Sequence, residues 1–166
     1  MPVVEIRDYD EQDLPAVSAL IAETYEAYNL DFLPPEEREA FLGPFAHVAS
    51  PTAAQEAEIA NAILSEVVLV ADDGGEVVGV LRGRKERLAS LFVRGDRHRA
   101  GIGRQLVESF EQWSLAQGVR VIRLAATTYA VPFYLKMGYK RSTGMRVGWS
   151  FEGHGLPYQP MRKVLR

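Results

Sequence analysis

The 166-residue chain contains no cysteine. A disulfide framework, a thiolate metal site and a cysteine nucleophile are therefore excluded. No apolar run reaches the length of a membrane span, and the formal net charge of −3 gives no reason to expect nucleic acid as a partner. Apolar residues make up 47% of the chain and charged residues 25%, as in ordinary globular proteins. These values predict one domain over residues 1–166 that is cytoplasmic and does not contact a membrane.

Hydrophobic periodicity predicts a chain in which strands and helices alternate. A strand, a glycine loop, a helix and a second strand follow one another over residues 88–125, which makes strands 88–93 and 121–125 parallel through a right-handed crossover. The hairpin signal at residues 72–75 makes the preceding strands antiparallel. We therefore expect an α/β fold whose mixed sheet has helices on both faces. The predicted strands are 3–7, 67–71, 76–82, 88–93, 121–125, 139–147 and 160–165, and the predicted helices are 10–28, 36–47, 52–64, 102–117 and 131–137.

The segment from Leu91 to Arg104 is an apolar strand that ends in a basic, glycine-punctuated turn and opens a helix. Such a turn offers unpaired backbone N–H groups, the positive end of a helix dipole and several cationic side chains, which together favour a phosphate. Gly101 and Gly103 lack the Cβ atom that would keep a phosphate away from the backbone. The same pattern also fits an ordinary helix start with solvated arginines. A dinucleotide fingerprint fits poorly, because Leu106 stands at the position of its third glycine.

Three segments of the chain resemble sequence motifs of the GCN5-related N-acetyltransferases (GNAT) and follow one another in the order found in that family. His98–Gly103 resembles the Q/R-x-x-G-x-G/A loop of that family, and Thr127–Tyr139 resembles its N-x-x-A-x-x-F-Y-x-x-x-G-F/Y block. Gly75–Gly79 resembles the G-x-x-V-G hairpin. One helix and one strand separate the first two segments, which also fits the family. The order makes the resemblance more specific than any single segment.

The resemblance implies a GNAT-like, mostly antiparallel sheet with a splayed central pair of parallel strands. It also implies transfer of an acetyl group from acetyl-CoA to an amine by direct attack, with Tyr134 as the acid that protonates the departing thiolate. The strand end would bind the pantetheine through its main chain, and the loop N–H groups would bind the pyrophosphate. The implied cofactor-binding residues are Leu91, Phe92, Val93, His98, Arg99, Ala100, Gly101, Ile102, Gly103, Arg104 and Thr127.

The chain departs from the family pattern at several positions. His98 replaces the usual Gln or Arg, and Thr127 replaces the usual Asn. Strand 88–93 carries no carboxylate that would act as a general base. The carboxylates predicted to lie near the site are those of Glu26, Asp31 and Glu86, which would either relay a proton through water or hold the charge of the acceptor.

The acceptor is predicted only in outline. The resemblance implies that the acceptor binds at the end of the first helix. The candidate residues there are Tyr25, Tyr28, Asn29 and Phe32. The same residues would also suit packing of this helix against the core. A peptide N-terminus, a lysine, a polyamine, an amino acid and a small drug-like amine all remain open as acceptors. The closing strands suggest a homodimer. No metal site is predicted, because His47 and His154 lack partners at ligand spacing.

A second function remains open beside the enzyme. The same fold can serve as a non-catalytic acyl-CoA-binding sensor or interaction module. Tyr134 favours the enzyme, because binding alone needs no proton donor. Of the adjacent aromatic residues, Phe133 is expected to be the core member and Tyr134 the functional one.

Overall fold

A computed structural model describes residues 3–166, in which eight strands form one sheet. The strand order is β1-β2-β3-β4-β5-β8-β6, and β7 pairs with β8 outside this path. Only β4 and β5 are parallel among the paired strands of this part of the chain. The structure therefore confirms the predicted mixed, mostly antiparallel sheet. The strands are β1 (Glu5–Asp8), β2 (Val67–Asp73), β3 (Glu76–Arg84), β4 (Arg87–Val93), β5 (Val121–Thr127), β6 (Lys140–Arg141), β7 (Arg146–Ser150) and β8 (Gly153–Val164).

Helices cover both faces of the sheet. The apolar stripe of α4 is buried against one face together with α5, whereas α1 and α3 pack on the other face around residues such as Val80 and Phe92. The stripe forms because Ile102, Leu106 and Phe110 recur at helical spacing. None of the helices within residues 3–166 is long and apolar enough to cross a membrane. The helices are α1 (Leu14–Thr24), α2 (Glu39–Leu42), α3 (Ala53–Ile63), α4 (Ile102–Ala116) and α5 (Val131–Lys136).

A β-bulge in β4 opens the centre of the sheet. Leu88 lies opposite Gly83, but Ser90 lies opposite Arg82, so Ala89 has no partner on β3. A bulge bends its strand, and β4 pairs with β5 at a single position, Arg87 with Arg123. Beyond that position the main-chain groups of β4 that point toward β5 have no strand partner. The splayed parallel pair is therefore confirmed.

Three predicted elements are wrong in their extent. Residues 139–147 do not form one strand, because a loop containing Gly144 separates β6 from β7. The last strand begins at Gly153 rather than at residue 160, since β8 tolerates both Pro157 and Pro160 while it pairs with β7 and β5. Residues 36–47 are not one helix either, because Gly43-Pro44 ends α2 and a 3₁₀ turn follows.

Candidate active site

The splayed strands form the floor of a cavity of about 670 Å³. Its walls are the end of α1, residues of α2 and the β7–β8 hairpin. The cavity collects residues that are far apart in the sequence, including Tyr25, Asn29, Phe92, Thr127 and Tyr134. Candidate cofactor-binding and acceptor-binding residues therefore meet at one place.

A π-helical turn, Tyr25–Asn29, continues α1 and distributes the candidate acceptor residues. The N–H of Leu30 donates to the carbonyl of Tyr25 at 3.0 Å, which widens the turn by one residue. Tyr25 and Asn29 line the cavity, whereas Tyr28 packs against His98, with ring centroids 4.6 Å apart. Phe32 is half exposed and does not line the cavity. The structure thus separates this predicted group into two pairs.

Hydrogen bonds fix the β7–β8 hairpin as a wall of the cavity. The Tyr25 hydroxyl donates to Ser150 Oγ at 2.6 Å, and Ser150 donates to the Phe41 carbonyl at 2.7 Å. Burial raises the pKa of Tyr25 above its ordinary value. The phenol therefore stays protonated and positions the hairpin. Ser150 belongs to the cavity but was not predicted, because only the fold brings it to residue 25.

Thr127 and Asn29 connect the two sides of the cavity. The Thr127 hydroxyl donates to Asn29 Oδ1 at 3.0 Å. The family motif has an amide at position 127, and in this chain an amide reaches the same place from α1 through the threonine. The Asn29 nitrogen has no acceptor among residues 3–166, so it can donate to a ligand.

Tyr134 lies at the bottom of the cavity and is 5% exposed. Its hydroxyl makes no hydrogen bond to any described residue, yet it is not among the fully enclosed polar atoms, so its open side is the cavity. Burial raises the pKa of this phenol above its ordinary value. The expected order of burial is wrong: Tyr134 belongs to the core cluster, whereas Phe133 is only partly buried against it.

The backbone N–H groups of residues 99–104, at the start of α4 beside β4, are six donors. None of them has an acceptor among the described residues. Arg99 and Gly101 have φ angles of +64° and +82°, which turn the chain sharply before α4. Successive N–H groups in such a turn form a concave anion site, and the dipole of the 15-residue helix adds to it. The backbone therefore presents a concave set of N–H donors at the position where the sequence predicts a phosphate site.

The cationic side chains contribute less to this site than the sequence suggested. Arg94 pairs with Glu76 and Asp96, and Arg97 pairs with Asp73 at 2.6 Å. Arg104 pairs with Glu108 one helical turn away, so these charges are largely compensated. Arg99 is exposed and has no ion-pair partner among residues 3–166. The donors at this turn that no described residue engages are therefore the backbone N–H groups and Arg99.

His98 holds the loop on the end of β4. Its Nε2 donates to the Val93 carbonyl at 2.7 Å, and its ring packs between Tyr28 and Tyr129. This carbonyl is thereby engaged, although the sequence predicted that the main chain of Val93 binds a ligand. The histidine that departs from the family motif thus has a positioning role in the structure.

Gly103 lies where α4 approaches α5. A Cβ atom on Gly103 would lie 3.2 Å from the ring of Phe133, so this glycine allows α4 to approach α5. A Cβ on Gly101 would meet open space, and its positive φ is what favours glycine there. The loop at Gly101 leaves open space above the backbone.

This cleft places a protonated phenol beside a strand with unpaired main-chain groups, and that strand leads into the turn at residues 99–104, whose N–H groups have no acceptor among the described residues. A ligand with a reactive acyl end, an amide-containing arm and a phosphate group has the complementary chemistry, so the class of protein is an acyltransferase. Residues 29–165 match the acetyltransferase (GNAT) domain family. The chain therefore belongs to the GNAT acetyltransferases, which confirms the family and the enzyme class expected from the sequence.

Solved structures share the fold over nearly the whole chain. A GCN5-related N-acetyltransferase from Rhodopseudomonas palustris superimposes with a TM-score of 0.82 at 23% identity, covering 99% of this chain and 98% of that one. The PaiA N-acetyltransferase from Thermoplasma acidophilum, in complex with coenzyme A, gives 0.66 at 17% identity, with 98% and 99% covered. YncA from Salmonella typhimurium, solved with acetyl-CoA, gives 0.63 at 17% identity, with 99% and 95% covered. No curated protein matches the chain in sequence.

Proposed function

We propose that residues 1–166 act as one acetyl-CoA-dependent N-acetyltransferase domain in which Tyr134 is the general acid. The observation that carries the proposal is a single cavity that joins the Tyr134 hydroxyl to unpaired groups of β4, beside the free N–H groups of residues 99–104. Incubation with acetyl-CoA and amines should release free thiol and give an N-acetylated product by mass spectrometry. Tight binding of acetyl-CoA with no transfer would instead identify a sensor or interaction module.

The residues of the cleft fit acetyl-CoA. The N–H groups of residues 99–104 would hold the pyrophosphate, and the main-chain groups of Leu91, which point away from β3, would hold the pantetheine. The amide of Asn29, fixed by Thr127, supports this arm from the other side. Bound acetyl-CoA supplies a thioester whose carbonyl carbon an amine can attack.

Proton transfer at sulfur is assigned to Tyr134. The phenol is protonated throughout the usual working range because burial raises its pKa. A main-chain N–H of β4 near Phe92 would stabilise the oxyanion that forms during the attack. As the carbon–sulfur bond breaks, Tyr134 donates its proton to the departing thiolate.

No dedicated base stands beside the amine. Within the part of the chain that the structure describes, no carboxylate lines the cavity, and the three predicted carboxylates lie outside it. Of these, Glu26 pairs with Arg38 at 3.7 Å, while Asp31 and Glu86 are exposed. We therefore propose that the acceptor amine loses its proton to water and attacks in the neutral form.

A carboxylate placed beside the loop N–H groups should weaken acetyl-CoA binding. Ala100 is exposed, so Ala100→Glu changes charge with little change in packing. Repulsion between this charge and the pyrophosphate should raise the Kd about tenfold, and Ala100→Gln is the neutral control of the same size. Titration calorimetry with coenzyme A measures both. Equal affinities for the two variants would show that the pyrophosphate lies elsewhere.

The predicted homodimer stays a prediction. The β7–β8 hairpin exposes Val147 and Trp149, which are apolar side chains of the kind that a second copy would cover. Sedimentation at micromolar concentration distinguishes a monomer from a dimer.

A further inference from the structure

The charges that line the cavity have one sign. Arg82 and Arg87 are the cations among its lining residues, and within residues 3–166 neither a carboxylate nor a lysine or histidine lines it. A cavity that receives an amine would be expected to offer negative charge to an ammonium group. The opposite charge here requires an explanation in terms of the ligand.

Arg82 is a partly buried cation without a carboxylate partner in the described chain. Its guanidinium donates to the carbonyls of Ile63 and Leu64 at the end of α3, and at 3.4 Å to Ser90 Oγ. Burial lowers the pKa of Arg82 because the charged form loses hydration. Three of five N–H groups are used, which leaves two for a ligand at the cavity wall.

Further cations follow Arg87 across the sheet in what we term the basic row. Each member lies directly opposite the next on neighbouring strands, all five are exposed, and none forms an ion pair with a described residue. Like charges in opposite positions destabilise a sheet, so stability does not explain this arrangement in a chain of net charge −3. In the order β3, β4, β5, β8 and β6, the basic row consists of Arg84, Arg87, Arg123, Arg162 and Lys140.

We propose that the acceptor is an amine that also bears a carboxylate, and that Arg82 and Arg87 bind this carboxylate. The proposal rests on the N-acetyltransferase function proposed above and names its substrate class. Ser90 lies opposite Arg82 and two residues from Phe92, so the Arg82 side of the cavity is about 7 Å along the strand from the proposed site of attack. That distance suits an amino acid or the first residues of an acidic peptide.

The chemistry balances with such an acceptor. The neutral amine nitrogen forms a bond to the acetyl carbon, the carbon–sulfur bond breaks, and the thiolate takes a proton from Tyr134. The surplus proton on nitrogen passes to water, from which Tyr134 is reprotonated. The positive potential of the two arginines favours the neutral amine, because a like charge lowers the pKa of an ammonium group. The arginines would therefore both bind the acceptor and assist its deprotonation.

Matched acceptors test the proposal. The pairs are glutamate α-amide with glutamine α-amide, and the amidated peptides Ala-Glu-Glu with Ala-Gln-Gln, so that only the first member of each pair bears a carboxylate. Acetylation is followed by thiol release and mass spectrometry. We expect the acidic member of at least one pair to have a kcat/KM about tenfold or more above its neutral partner. A preference within the amino-acid pair indicates a small substrate. A preference within the peptide pair alone indicates an acidic peptide whose further carboxylates contact the basic row.

Variants assign the preference to the arginines. Arg87 is exposed, so Arg87→Glu should fold and should reduce the ratio of acidic to neutral kcat/KM to about one or below, whereas Arg87→Lys should retain most of it. Arg82→Gln should reduce the ratio as well, with circular dichroism reporting on the end of α3. For an acidic peptide, the double variant Arg123→Gln, Arg162→Gln should lower kcat/KM further.

The outcomes separate this inference from the function on which it depends. Acetylation of neutral and acidic amines at equal rates would overturn the acceptor class while the enzyme stands. An unchanged ratio in Arg87→Glu and Arg82→Gln would also overturn it. Binding of acetyl-CoA without transfer to any amine would overturn both proposals.

Discussion

Replacement of Tyr134 by Phe is expected to lower kcat about a hundredfold while the Kd for acetyl-CoA changes less than about twofold. The variant removes one oxygen from a ring that is otherwise packed in the core, so the cavity keeps its shape. Burial raises the pKa of the phenol, and the same burial raises the pKa of a thiolate that leaves beside it. The proton therefore moves between two groups whose pKa values are both raised. Rates should be measured where a pre-steady-state burst shows that chemistry is limiting.

Tyr139→Phe provides a matched control for this result. Tyr139 belongs to the same core cluster, and its ring lies 5.6 Å from that of Tyr134. Its hydroxyl donates to Glu111 at 2.9 Å and does not reach the cavity, so this variant should lose about 1 kcal/mol of stability and little turnover. A decrease in kcat of less than about threefold in Tyr134→Phe would assign the acid role to water or to another group.

Local patterns allowed much of the fold to be predicted. Helix α4 was expected at residues 102–117 and spans Ile102–Ala116, because its apolar stripe and the glycines at its two ends are signals within one segment. The turn at Gly74-Gly75 was likewise visible, since both glycines adopt positive φ. The strand–helix–strand connection then indicated that β4 and β5 are parallel.

The missed features depend on contacts between distant residues. The pairing of Arg97 with Asp73 and the hydrogen bond of Thr127 to Asn29 join segments that only the folded sheet brings together. The bulge at Ala89 was missed because β4 itself carries no glycine or proline, and the glycine beside the bulge, Gly83, lies on the neighbouring strand β3. A readable signal did exist for Arg82, which follows a run of apolar residues in β3 and so interrupts an otherwise buried strand.

The rate of acetyl transfer should follow the protonation of the acceptor rather than that of the enzyme. A cavity without carboxylates leaves the amine to lose its proton to water, so kcat/KM should rise tenfold per pH unit below the acceptor's own pKa. For two acceptors that differ as an α-amino group differs from a lysine, the break should therefore move by about two pH units or more. Across two units below the break, the rate changes roughly a hundredfold.

The dependence of kcat on pH carries a second part of this prediction. In the complex, Arg82 and Arg87 lower the pKa of the bound ammonium, so the break in kcat should lie at a lower pH than the break in kcat/KM for the same acceptor. At high pH, a decline in rate should appear only above the ordinary pKa of tyrosine, about 10, because burial keeps Tyr134 protonated beyond it. Charge-neutralising variants of Glu26, Asp31 and Glu86 are the controls and should leave the position of the low-pH break unchanged. An identical low-pH break for both acceptors that disappears in one of these variants would identify that carboxylate as a general base, because only an enzyme group titrates independently of the acceptor.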